Sequence, residues 1–193
     1  MTRPNPAVLD HLAARRSYPA KLFTGGTPDR ATVERIVTLA LRVPDHGKLE
    51  PWRLVVLTKA DMARLADLAE ARARDLGGDA EKIAKGRGQY DAGHLAVAVI
   101  SSPKPAEKVP AVEQLLSAGA LCMNLLHAAT AAGWDACWLS GWPAHDPVFA
   151  ARAFGCTPGE TVAGIVHIGT APATEMPDRP RPDLARVLHW GLE

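Results

Sequence analysis

Two adjacent arginines followed by a serine, Arg15-Arg16-Ser17, are the first residues of this chain whose types and spacing suit binding chemistry. Guanidinium groups offer forked donors to oxygen, and a neighbouring hydroxyl adds another, so the triplet suits a phosphate or the polar edge of a ring. Cations near a helix C-terminus also complement its dipole, which is the plainer reading of the same residues. A second cluster is Arg42-Val43-Pro44-Asp45-His46-Gly47-Lys48, followed by Pro51-Trp52. There a proline stops a helix, and a loop carrying Arg, Asp, His and Lys turns directly into a strand, where ligand groups are commonly placed. A third is Trp138-Leu139-Ser140-Gly141-Trp142, in which Ser and Gly let backbone approach a flat ligand while the tryptophans stack or pack. The fourth is a strand ending in a glycine turn, residues 164–170 (GIVHIGT).

Other chemistries find no support. A GxGxxG after a strand, a Walker-type GxxxxGK and a GxSxG elbow are all missing. The histidines at 11, 46, 94, 127, 145, 167 and 189 never fall at HExxH or similar spacing, so the expectation is no metal site. Cys122, Cys137 and Cys156 are odd in number and lack CxxC spacing, and they read as small buried apolar residues in a reducing, cytoplasmic setting. With neither nucleophile nor metal in evidence, an enzyme built this way depends on a bound organic cofactor.

The elements that must position these clusters follow from apolar spacing. At 193 residues, with 47% apolar and 22% charged residues, the chain fits a single soluble domain. A net charge of +1 supplies no global field for nucleic acid or anionic lipid, so any anion is held locally. The first ten residues carry no apolar signal segment, and the apolar run at 95–100 is too short to cross a bilayer. Asn5-Pro6 and Thr27-Pro28 are helix-start signals, each followed by apolar residues at helical spacing. Strands are predicted at 52–58, 95–101, 134–139 and 161–169, with helices at 61–76, 112–132 and 147–154. The 79–94 stretch reads as either a short helix or a mobile lid. Between Ala118 and Ala132 the long helix is almost uncharged, which predicts burial on all sides, in a core or against a second subunit. After Thr170 the chain is proline-rich and extended, an arm for its own domain or for a partner's. Irregularly alternating strands and helices predict a three-layer α/β or α+β domain.

In this order and spacing the segments resemble the nitroreductase family, most closely its short YdjA-like branch. The resemblance covers nearly the whole chain: the RRS triplet, RxPDHxKxxPW, Ser117-Ala118-Gly119 opening the long helix, the WxSG turn and the GxxxxGT strand end. It implies one nitroreductase-like α+β domain over 1–193, three-layer α/β/α with a central mixed sheet flanked by helices, an interlocked homodimer with shared FMN sites, and a C-terminal arm, 171–193, that embraces the partner. It implies FMN as cofactor and NADH or NADPH as donor, reducing nitroaromatics, quinones or similar acceptors by ping-pong hydride transfer. By the same resemblance Arg15, Arg16 and Ser17 hold the phosphate and ribityl side of FMN or its pyrimidine edge. Arg42 and His46 reach the FMN of the other subunit, and Trp138, Leu139 and Ser140 line its ring. Residues Ala128, Ala129, Thr130, Ala131, Ala132 and Gly133 correspond to a stretch assigned to NAD(P) in relatives. In that branch the middle of the WxS turn is arginine, and here Leu139 replaces it. Relatives also include flavin-fragmenting and dehalogenating enzymes, for which the chain shows no long lid insertion. A flavin carrier or sensor without turnover is a further alternative.

Overall fold

A computed structural model describes residues 3–173 and 176–191. Helix α1 (Pro6–Ala14) starts where the sequence signal lies, with the Asn5 side chain accepting the Val8 amide. The second start signal is displaced. Asp29, not Thr27, caps α2 (Arg30–Ala40) by accepting the Thr32 amide at 2.8 Å, and a carboxylate suits the positive end of a helix. The chain continues through β1 (Trp52–Leu57), α3 (Lys59–Asp75), α4 (Ala80–Arg87), β2 (Ala96–Ser101) and α5 (Ala111–Ala131). It ends with β3 (Asp135–Leu139), α6 (Pro147–Phe154), β4 (Thr161–Gly169) and the one-turn α7 (Leu184–Val187).

The strand order is β1-β2-β4-β3, and every paired neighbour among the described residues is antiparallel. This corrects the expected mixed sheet. A parallel pair needs a crossover that brings its two strands side by side. Here β1 to β2, through α3 and α4, and β3 to β4, through α6, join neighbours that oppose each other. The long α5 joins β2 to β3, which run the same way but are separated by β4. The three layers are as expected. Ala96, Ala98 and Ile100 of β2 face a core made with Met62, Leu65 and Phe149 of α3 and α6. Val97 and Val99 face Ile36, Leu121, Leu125 and Ala129 of α2 and α5. All six residues of β2 are buried, which is why this strand reads as continuous apolar sequence.

The 79–94 stretch is a pinned helix rather than a lid. The Trp142 Nε1–H donates to the Lys82 carbonyl at 3.1 Å, and its ring lies so close over Gly86 that a Cβ there would come within 2.7 Å. Arg87 ties α4 to α3 through Asp67 and Glu70, each at 2.8 Å, and reaches Asp91 at 3.1 Å. Burial pushes the Cys122 thiol up to about 12 and Cys137 up to about 11, so both pack as neutral groups.

One side of the molecule is less complete. Helix α1 buries none of its residues, leaving Val8, Leu9 and Leu12 at least half exposed, and α5 exposes Val112, Leu115 and Leu116 near its start. The expectation of burial all round for 118–132 holds in part: Leu121, Cys122, Leu125, Leu126 and Ala129 are buried, while Ala131 and Ala132 are exposed. The arm lies against its own α1, through an Arg16–Asp178 ion pair and a bond from Arg181 to the Ala13 carbonyl at 2.7 Å. Within the expected arm, Thr174, Glu175, Leu192 and Glu193 lie outside the described residues. No helix among the described residues is long and apolar enough to cross a membrane.

Candidate functional site

Arg15 and Arg16 follow α1 directly, and their side chains diverge. The Arg16 Nη1 group donates to the carbonyls of Ala13, Ala14 and Arg15 at 3.0–3.3 Å, closing the helix end. Arg15 reaches only the Ser17 hydroxyl, at 3.2 Å, and no carboxylate among the described residues pairs with it. It lines an open cavity of about 390 Å³ with His11, Arg16, Tyr18, Thr130 and Asp135. The Tyr18 amide donates to the Ala136 carbonyl at 3.3 Å, which lays this segment along the free edge of β3. A guanidinium unpaired among the described residues, a hydroxyl and an imidazole open into one cavity, with Asp135 at its β3 wall; the three donors fit an anionic oxygen group.

The Trp138 turn lies on the same strand. Trp138 stands in register with Val166, so its indole is on the α5 side of the sheet, laid across Gly164. A Cβ at Gly164 would come within 1.9 Å of the indole nitrogen, so the glycine is what lets the ring lie flat against the strand. Leu139 points to the opposite face and packs with Ala20, Phe23 and Cys137, an apolar setting in which leucine fits and arginine would be desolvated. Ser140 is exposed, and the Gln89 side chain closes over the backbone of Gly141, where a Cβ would meet it at 2.5 Å. Trp142, the second aromatic of the turn, is occupied in holding α4.

Arg42 and His46 sit elsewhere. The loop that carries them is strained: Gly47, Lys48 and Glu50 all have φ between 48° and 73°, a region that costs ordinary residues about 1–2 kcal/mol each. Asp45 holds it there, its two oxygens accepting the amides of Leu49 and Glu50 at 3.0 and 2.9 Å. His46 Nδ1 lies 2.8 Å from Glu113 at the start of α5, beside a second cavity lined by Pro44, Leu116, Ser117 and Ala120. The Asn124 amide fixes the loop by donating to the carbonyls of Ala40 and Arg42. Trp52 is tied to Ser117 of the long helix at 3.1 Å. Glu113 and Thr130 mark the two ends of α5, and at ~1.5 Å per residue they stand ~25 Å apart. Within one chain His46 and Arg15 therefore do not converge.

The stretch Ala128 to Gly133 is divided among surfaces. Thr130 and Gly133 line the Arg15 cavity. Ala128, Ala131 and Ala132 line another with Arg35 and Leu39. Ala129 is walled into the core and reaches neither. Sequence reasoning did not single out His11, His127, Thr130 as a hydroxyl partner, Asp45 as a loop clamp, Gln89, or Arg181 of the arm. His11 and Arg15 do carry a signal, being four apart at the end of one helix. Asp45, Gln89 and Arg181 carry none, because each finds its place only through tertiary packing.

The model of the nitroreductase family matches residues 12–170. The chain belongs to that family. A Haemophilus influenzae protein named "Putative NAD(P)H nitroreductase" is 34% identical over 163 residues, covering 84% of this chain and 87% of the relative. The Escherichia coli protein named "Putative NAD(P)H nitroreductase YdjA" is 31% identical over the same share of each chain. Among solved structures, a nitroreductase-like protein of Bacillus cereus superposes with a TM-score of 0.75 at 20% identity, over 98% of this chain and 97% of that one. A nitroreductase of Bacteroides fragilis with bound FMN gives 0.74 at 18% identity, over 95% and 98%. These likenesses establish a nitroreductase-like α+β fold.

Proposed function

We propose that this member of the family binds FMN beside the free edge of β3 and uses NADH or NADPH to reduce electron-poor acceptors such as nitroaromatics and quinones. The observation that carries the reading is Arg15: a guanidinium paired with no carboxylate among the described residues, opening into a cavity on the strand that also holds Trp138. Arg15 and Ser17 would bind the phosphate, with Arg181 of the arm beside them on α1. The Trp138 indole would bound the ring system on the α5 side, and the exposed Ser140 would meet its polar edge. Leu139 would contribute through its backbone, since its side chain faces the other way. FMN supplies a hydride carrier that takes reducing equivalents from the nicotinamide and gives them to the acceptor in a separate half-reaction. The protein's part is to orient both partners and to exclude water.

The ~25 Å between Arg15 and His46 along α5 favours two copies of the chain sharing two sites. Arg42 and His46 of one copy would then complete the site of the other. The exposed apolar residues of α1 and of the first turns of α5 are the surface such a pairing would cover. Of the stretch at the end of α5, Thr130 and Gly133 are the residues placed to touch the same cavity.

Purified protein should show flavin absorbance, release FMN on denaturation, and scatter light as a dimer. Anaerobic NADH or NADPH should bleach the flavin, and a nitroaromatic or a quinone should restore it. A colourless preparation that takes up no FMN would overturn the reading. A yellow protein that neither nicotinamide bleaches would instead make it a flavin carrier or sensor.

A further inference from the structure

We propose that His11 is a further binding residue for the cofactor phosphate and makes retention of the cofactor depend on protons. The inference rests on the FMN reading above and adds to it a residue and a pH response. His11 lies on α1, Arg15 caps the end of that helix four residues on with its amide donating to the His11 carbonyl, and both line the same cavity. The His11 ring is held from behind: its Nε2 lies 3.3 Å from His127 Nδ1 and 3.4 Å from the Thr130 hydroxyl of α5, with the two rings edge to face. Its Nδ1 has no protein partner among the described residues.

The charges around this ring come from every element packed there. Arg15 and Arg16 belong to its own helix side, with Arg16 already paired to Asp178 of the arm. Arg181 of the arm sits on the Ala13 carbonyl. Tyr18 lies on the segment that follows. Asp135 of β3 lines the cavity and accepts the Ala171 amide. His127 of α5 is held below the ordinary histidine range by burial first, then by Arg15 and His11. His127 thus stays neutral and is suited to accept a proton donor from His11.

An anion in the cavity changes the balance. An opposite charge within a few ångströms favours the protonated imidazole. A protonated His11 donates Nε2–H to His127 and Nδ1–H into the cavity, next to the Arg15 guanidinium. No bond other than hydrogen bonds forms, and one proton is taken up from solvent as the phosphate binds. The sign follows: uptake of a proton on binding means tighter retention at lower pH.

Flavin release from the holoenzyme, followed by the fluorescence gained on dilution, tests this at pH 6.5 and 8.5, above the second phosphate ionisation near 6. Wild-type release should be about tenfold slower at pH 6.5. His11→Gln should release quickly at both values, and His11→Arg should release slowly at both, because its charge does not titrate. Riboflavin, which lacks the phosphate, should bind with no pH dependence and equally to all three proteins. Far-UV circular dichroism checks that α1 and the rest of the fold persist. His11→Gln with wild-type release rates and pH dependence would overturn the inference while leaving the FMN reading in place. A holoenzyme without flavin would instead overturn the FMN reading on which it depends.

Discussion

The two faces of the sheet are finished to different degrees. On the α3/α6 face the core is filled by Met62, Leu65, Phe149 and Phe154, and Arg72 and Arg87 above it are paired. Arg72 grips Asp146 through three bonds of 3.0–3.1 Å, and Arg87 reaches three carboxylates. On the α1/α5 face an apolar helix buries nothing, leucines point outward, and Arg15 is ion-paired with no carboxylate among the described residues. Both faces bury a core, the second through Ile36, Leu121 and Leu125. Exposed apolar surface and charge left unpaired mark a face that binds, and the proposed cofactor and partner sites fall on the second.

The largest test of that contrast replaces Leu115 and Leu116 together by glutamate. Their exposure of 48% and 66% would make the change harmless in an isolated chain. In the paired form the charges would be buried, and the dimer dissociation constant should rise at least ~100-fold, about 3 kcal/mol or more. Sedimentation velocity measures it. Leu76→Glu, at a residue 42% exposed beyond α3, should leave the assembly unchanged. Equal behaviour of the two variants would break the comparison.

The next test concerns a weak point within the closed face. His167 of β4 is buried beside Met62 and Gly93, both ring nitrogens lack partners among the described residues, and burial lowers its pKa to about 4. In the unfolded chain the imidazole takes a proton near its ordinary value of 6.5, whereas in the fold it resists until about 4. The fold therefore keeps its full stability above pH 6.5 and loses it progressively toward pH 4, by about 3 kcal/mol in total. Urea unfolding at pH 7.5, 5.5 and 4.5 should show that slope, and His167→Leu should remove it. A wild-type stability that stays flat across this range would place the ring in a wetter, partnered setting.

The smallest effect comes from exchanging roles between arginines. Arg53 of β1 holds Glu160 through two bonds of 2.9 and 3.0 Å and also reaches the Phe154 carbonyl, and its hydrogen bonding pulls the Glu160 carboxyl down to about 2. Arg53→Ala should cost about 1–2 kcal/mol of stability, modest because its side chain is 35% exposed, with flavin content kept. Arg15→Ala should do the reverse, sparing the melting temperature of the flavin-free protein and weakening FMN binding. If both variants move the same quantity, stability and binding are not divided as argued.

Much of this was legible beforehand, for identifiable reasons. Helix α6 and strand β4 match their expected limits because a proline start, a glycine end and an unbroken apolar run are local signals. Strand direction was not legible, since it depends on which strands become neighbours: β2 and β3 run the same way but β4 lies between them, and local apolar spacing carries no sign of that order. The cap at Asp29 was missed because Thr27-Pro28 carries the same signal two residues earlier. Within the candidate site, residue types pointed to Arg15 and to the Trp138 turn. They could not say that Leu139 faces away, that Trp142 is occupied with α4, or that Arg15 and Arg16 diverge.

That divergence has an electrostatic consequence. The C-terminal end of a helix carries about half a negative charge on its exposed carbonyls, and α1 ends where an anion is proposed to bind. Left bare, those carbonyls would repel the ligand that Arg15 attracts. Arg16 lies across them and insulates the cavity from its own scaffold. On the proposed reading two neighbouring residues of the same type would divide the work, one as the ligand's counter-charge and the other as a shield that lets the first act at full strength.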